Sequence, residues 1–314
     1  MALPTLNDAQ AIEPILNNLL VGYMQDSSRF IAGQIFPSVP VVNDSGTYYI
    51  ATKKYFFHDD LQPRAPGASF AELGYGLSTA TYKTNQWAGE FAIADEVRAN
   101  SLVPMDLEQL AVRKVAQSSM LRKEVAFGGA FMTTGVWGTD DTTTTDWDDF
   151  ASGDPIADVL TARRTISNNT GQDGNTMALG YIVHNALVNH PDIIDRVKYV
   201  TAATQANMEA ALAAAFGVSR YLVARGTYSN TNESAAFSAT AIIDDDCLVC
   251  HVDPSAGIMG ATAGKTFVWG PGGGEGQIYA DPGRRNHSNV FQHKEQWDQV
   301  AVATDLGYFF SDVV

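Results

Sequence analysis

Cysteine is nearly absent from this chain: 314 residues hold two, Cys247 and Cys250. Two thiols cannot build a disulfide framework or a four-cysteine zinc site. Basic residues are also sparse, 20 Lys and Arg against 35 Asp and Glu, for a net charge of −15. That is the wrong sign for a protein that grips nucleic-acid phosphates by counterion release, so sequence-specific DNA binding is disfavoured. Charges, Gly or Pro interrupt every apolar run before the ~18 residues of a membrane span. The start, Met1 to Asp8, lacks the basic and apolar stretches of a secretory signal, and the expected setting is soluble and cytoplasmic. What is present is 45% hydrophobic content. Over roughly two ordinary domain lengths of ~150 residues, that is enough for a sizeable core.

The chain divides by pattern. Residues 1–43 mix short apolar runs with turn residues, and a helix is expected only over Ala9 to Met24, where Ile12, Ile15, Leu16, Leu19, Leu20 and Tyr23 recur at helical spacing. Two strand-like stretches follow, Thr47 to Phe57 and Leu77 to Ala94, separated by a Pro- and Gly-rich turn segment. They read as a long hairpin, polar on both faces and marginal in water by itself, so its support is expected to come from another copy of the chain. After Pro104 a long helix is expected to about Thr134, with Asp106 and Gln109 as a capping pair. Its apolar stripe is thin, which suits lying across a sheet. An acidic loop then runs to Asp154.

From Pro155 helices and strands alternate: helix Ile156 to Asn168, strand Met177 to Val183, helix Pro191 to Val197, helix Met208 to Phe216 closed by Gly217. Strands Tyr221 to Ala224, Ala241 to Val252 and Thr266 to Trp269 follow, then a Gly-rich loop at 270–276 and a closing strand pair over Gln299 to Phe310.

Chemical motifs are weak. Cys247-Leu-Val-Cys250-His251 spells the c-type haem attachment signature, but without an export signal and inside an apolar strand it reads better as two buried cysteines. Gly260 to Thr266 has three residues between its glycines where a phosphate loop needs four. The 270–276 cluster lacks dinucleotide-binding spacing and opens no helix. Six histidines are scattered, and the acidic clusters miss calcium-loop spacing. No catalytic, cofactor or metal site is assigned.

The order of parts resembles the major capsid proteins of tailed bacteriophages with the Hong Kong 97-type (Johnson) fold, lambda-E-like. The wording that carries it is Ile35-Phe-Pro-Ser-Val-Pro-Val41, the run Gly180 to Arg196, Phe216-Gly-Val-Ser-Arg-Tyr-Leu-Val-Ala-Arg225, and Asp246 to Trp269. The resemblance covers essentially the whole chain. It implies an α+β fold with an N-terminal arm at 1–44, an extended E-loop hairpin at 45–95, a peripheral domain with a spine helix at 96–153, a mixed α/β axial domain at 154–289, and strands at 290–314 returning to the peripheral sheet.

The implied function is structural. Hexamers and pentamers of the chain would close an icosahedral head around double-stranded DNA, assembled in the host bacterial cytoplasm with a separate scaffolding protein, a portal and possible decoration protein. An acidic wall would repel packaged phosphate over ~8 Å. Candidate subunit-interface residues are Tyr55, Phe56, Phe57, Arg64 and Trp87 in the hairpin, with Arg113, Arg122 and Lys123 on the spine helix. The alternatives are an encapsulin-like nanocompartment shell, or a redox or haem protein using Cys247 to His251.

Overall fold

The computed structural model describes residues 25–70, 72–99, 107–142, 145–197, 205–231, 236–255, 257, 260–272, 274, 276–283 and 287–314. The expected Ala9 to Met24 helix and Asp106 lie outside them. The first half contains α1 (Ala32–Ile35), β1 (Ser38–Val41), β2 (Ser45–Ala51), α2 (Lys53–Phe56), β3 (Leu77–Lys83), β4 (Asn85–Ala94), α3 (Asp95–Ala99), α4 (Leu107–Phe131) and β5 (Thr139–Asp141). Next come α5 (Pro155–Thr170), β6 (Thr176–Gly180), α6 (Tyr181–Asn189), α7 (Pro191–Val197), α8 (Gln205–Phe216), β7 (Arg220–Ala224), β8 (Thr227–Tyr228) and β9 (Thr240–Ala241). The chain closes with β10 (Cys247–Cys250), β11 (Gly264–Trp269), β12 (Gln277–Gly283), β13 (Ser288–Ala301) and β14 (Gly307–Phe310).

Two five-stranded sheets organise these elements. In the first, β13 carries β11 and then β12 along one edge and β4 along the other, while β1 runs parallel to β11. The second has the order β5-β14-β10-β6-β7, with β6 and β7 parallel and β10 antiparallel to both neighbours. All four residues of β10 are buried, as suits a central strand.

Local chemistry sets the helix ends. The Asp154 side chain accepts from Ala157 N at 3.0 Å, Pro155 opens α5, and Gly171 closes it at φ 69°, a left-handed conformation that favours glycine. The long α4 lies across the first sheet as expected, with Ala111 packed against Ile93 and Phe291. Its C-terminal turns enter the main core instead, where Phe127, Phe131, Phe36 and Trp137 pack with ring centroids 5.1–6.4 Å apart.

Several sequence expectations change. The strand expected over Thr47 to Phe57 stops at Ala51, and Lys53–Phe56 turn helical. Leu77 to Ala94 breaks at Thr84: β3 pairs with β2, but β4 pairs with β13 from Asn85 opposite Trp297 to Ala94 opposite Ser288. Residues 181–183 begin α6 rather than ending a strand. The Ala241 to Val252 stretch is strand only at its ends, because Asp244 to Asp246 turn the chain. The closing strands do not pair with each other: β13 belongs to the first sheet, while β14 runs antiparallel to β10 in the second, burying Phe309 and Phe310. Within 290–314, therefore, β13 alone joins the first sheet.

Candidate subunit interface

The β2–β3 ribbon is amphipathic. Its register places Tyr48 opposite Ala80 and Gly46 opposite Tyr82, so even-numbered residues share one face. That face packs on the chain's own Val39, Phe267, Val300 and Val302, with Tyr82 stacked on Phe267 at 4.5 Å. A Cβ at Gly46 would meet the Tyr82 hydroxyl at 2.7 Å and its ring at 2.9 Å, so any larger residue there would displace Tyr82 from its stack. The expectation of a ribbon polar on both faces and supported by another copy is corrected: period-two alternation gives the ribbon an apolar face within its own subunit.

The tip differs. Thr52 N donates to Gly76 O at 2.9 Å, closing the loop, and the Tyr55 ring lies over Gly74 and Gly76. Phe57 touches the Gly171 position, and Lys53 Nζ sits 2.6 Å from an Asp305 carboxylate in a half-exposed pair of little net worth. Arg64 Nε donates to Ala68 O at 2.6 Å while its guanidinium stacks 4.3 Å over Phe70. Even so, Phe56, Leu61, Phe70, Leu73 and Tyr75 are 63–80% exposed. Exposed large apolar side chains gathered on one loop make it a candidate docking surface.

Trp87, Arg122 and Lys123 come together at the spine helix. The Arg122 guanidinium lies 4.0 Å over the Trp87 ring, Trp87 packs on Trp297 at 5.9 Å, and Lys123 Nζ sits 3.6 Å from the buried Glu295. Ser119 Oγ donates to Glu295 at 2.7 Å. Arg113 is exposed on the same helix, apart from this cluster. The eight candidates thus fall into a ribbon-tip group, a spine-helix cluster and one separate arginine.

Glu124 escaped sequence reasoning. Fully buried, its Oε2 accepts from Ile31 N at 2.9 Å and Ala32 N at 2.8 Å, capping α1 and tying the N-terminal segment to the spine helix. Burial pushes its carboxyl up to about 7, although the two backbone donors pull the other way. A signal existed: Glu124 falls three, four and seven residues before Phe127, Gly128 and Phe131, on the buried stripe itself.

The sharper motifs lose their chemistry. A strand places residues three apart on opposite faces, so Cys247 and Cys250 cannot present both thiols to one haem. Burial raises both, Cys250 to about 12, leaving protonated, inert thiols. His251 Nδ1 lies 2.7 Å from Asp173 O. Lys265, the lysine of the near-miss phosphate loop, is buried in β11 with Nζ donating to Gly257 O at 2.9 Å. Among the described residues no cluster of three or more His, Cys, Asp or Glu could hold a metal ion, and no helix is long and apolar enough to cross a membrane.

No family model matches the sequence. A curated relative, the "Major capsid protein" of Burkholderia phage BcepMu, is 23% identical over 197 residues, covering 62% of this chain and 63% of that protein. A phage-related protein from Bordetella bronchiseptica RB50 superposes with a TM-score of 0.70 at 21% identity, over 96% of this chain and 97% of that one. The capsid of cyanophage P-SCSP1u gives 0.58 at 11% identity over 93% and 91%. The chain has the fold of these two proteins, the second a phage capsid subunit.

Proposed function

We propose that this chain, folded as tailed-phage capsid subunits are, is itself a major capsid protein that self-assembles as hexamers and pentamers into an icosahedral shell around double-stranded DNA. The observation that carries this is correspondence with a phage capsid subunit over 93% of the chain. Sequence similarity to a protein named for the same role supports it, as does the aromatic ribbon tip left exposed by its own subunit.

In this reading residues 1–44 are the N-terminal arm, 45–95 the E-loop, 96–153 the peripheral domain with α4 as spine, and 154–289 the axial domain. The protein works without catalysis, through interface burial between identical copies. A separate scaffolding protein, a portal and decoration protein would be its further partners, and the host cytoplasm its place of assembly. The net charge of −15 keeps the shell from adhering to packaged phosphate.

Electron microscopy of the expressed chain, with and without a candidate scaffold, tests this. Closed shells, or free rings of five and six, are expected. Uniform monomers or dimers in both preparations would overturn it.

A further inference from the structure

The first turn of α6 faces a pocket of about 370 Å³, a volume within the ~300–1,000 Å³ of small-molecule sites. Four parts of the chain wall it: Tyr181 and Ile182 of α6, Arg225 in the step from β7 to β8, Arg29 of the N-terminal segment, and Ala241 of β9. Hydrogen bonds fix these parts to one another. Arg225 N donates to Arg29 O at 3.1 Å, and the Gln25 side chain exchanges bonds of 2.6 and 3.1 Å with the Thr227 backbone.

The pocket is basic in an acidic chain. Among the described residues its charged lining is Arg29 and Arg225, with no acid between them. Against 35 Asp and Glu and only 20 Lys and Arg overall, that pairing is a local exception. Arg29 is exposed and has no carboxylate partner among the described residues; Asp26, three residues earlier, is occupied by Ser27 and Ser28. Arg225 is already oriented. One Nη2–H donates to Glu209 Oε1 at 2.8 Å, and the guanidinium lies 5.4 Å from the Tyr181 ring centroid. Its Nε is buried and donates to nothing among the described residues, a vacancy that is costly until an acceptor fills it.

This chemistry selects an oxyanion, and phosphate over carboxylate. Guanidinium groups present their donors as planar forks that match phosphate oxygens in pairs. Two forks hold more donors than the two oxygens of a carboxylate can accept, whereas a phosphate monoester offers three outer oxygens and up to two charges. The start of α6 adds to this, because Gly180 at its N-cap brings no side chain to the first backbone N–H groups. Beside the arginines, the half-exposed Tyr181 and Ile182 give an apolar flank for whatever the phosphate is attached to.

We propose that this pocket binds a phosphate monoester or inorganic phosphate, held between Arg29 and Arg225 at the start of α6. A ligand there ties the N-terminal segment to α6 and β7 through ion pairs that the chain does not make by itself. The site goes beyond the shell reading and does not depend on it.

Isothermal titration calorimetry of the purified full chain tests it, with inorganic phosphate and adenosine 5′-monophosphate as probes in chloride at constant ionic strength. Saturable binding of one phosphate group per chain is expected. Arg29→Gln should weaken it by about tenfold or more, and Arg225→Lys, which keeps the charge but loses the fork, should weaken it as well. Arg113→Gln, on α4 and outside the pocket, should bind like the wild type. Tighter binding of the nucleotide, lost in Tyr181→Ala, would support the site and make a nucleotide the ligand; equal binding of both probes would support it and make free phosphate the ligand. No saturable binding, an Arg29→Gln chain that binds like the wild type, or weakening by Arg113→Gln equal to that by Arg29→Gln would each overturn the proposal. Arg29 is exposed, so its replacement leaves the fold intact, and circular dichroism identifies an Arg225→Lys chain that unfolds; Arg29→Gln then decides. Binding is measured whether or not particles form, so its failure leaves the shell reading standing, and a chain that forms no particles leaves this site standing.

Discussion

Replacing Glu124 by Gln should stabilise the subunit at neutral and alkaline pH, although it removes a charge that two backbone donors solvate. The carboxyl is fully buried and pushed up to about 7 from an ordinary 4.5. Between those values the folded chain holds a proton that the unfolded chain releases, so stability falls as pH rises through the window and levels off above it. Holding the ionised form buried costs about 3 kcal/mol by that gap. Gln keeps an acceptor for Ile31 N and Ala32 N and cannot ionise. The expected outcome is a gain of about 1–3 kcal/mol near pH 8 and loss of this pH dependence, the neutral acceptor returning part of the gain. Glu124→Ala should instead lose about 2–5 kcal/mol, because it leaves two buried N–H groups unpaired. Urea denaturation of unassembled chain at several pH values between about 5 and 8.5 measures all three proteins. A wild-type stability that stays flat or climbs across that range, or a Gln variant as damaged as the Ala variant, would refute the reasoning.

Other perturbations probe other parts of the account. Gly180→Ala should abolish soluble expression or cost well over ~3 kcal/mol, since a Cβ there would lie 1.7 Å from the Asp244 carbonyl oxygen, which is backbone and cannot step aside. Thermal melting or the soluble fraction reports it. Phe127→Ala should destabilise by about 3–5 kcal/mol, with the loss read from the urea midpoint. Cys247 and Cys250 should resist a thiol reagent in the native chain and react fully in denaturant, and rapid native labelling would contradict their burial. Changing Tyr55, Phe56 and Phe57 together to Ser should sharply lower particle yield while shifting the melting temperature of unassembled chain little; unchanged yield and heat resistance would remove the tip from the interface.

What was legible in the sequence was what local pattern determines. The α7 boundaries, Pro191–Val197, follow from its proline start, and the run Cys247–Cys250 reads as a buried strand because both its faces are apolar. The capsid resemblance came from the order of such parts, and the fold bears it out. Pairings across two hundred residues left no local trace. β13, written Ser-Asn-Val-Phe-Gln-His-Lys-Glu-Gln-Trp-Asp-Gln-Val-Ala, shows little alternation, and its partner β4 was assigned to the ribbon. Aromatic residues near 55–57 looked strand-like by propensity, yet the loop closure from Thr52 to Gly76 turns them into a helical corner. Glu124 sits legibly on the buried stripe of α4, but one sequence gives no view of the two N–H groups, 93 and 92 residues away, that need it.

The central claim, assembly of identical copies into a closed shell, meets its most direct test in sedimentation velocity of the purified wild-type chain, with electron microscopy of the same fractions. The account expects a discrete, fast-sedimenting species that images as closed particles, in exchange with rings of five and six. A single slow boundary at the mass of one or two chains, unchanged by concentration or by added scaffold, would contradict it.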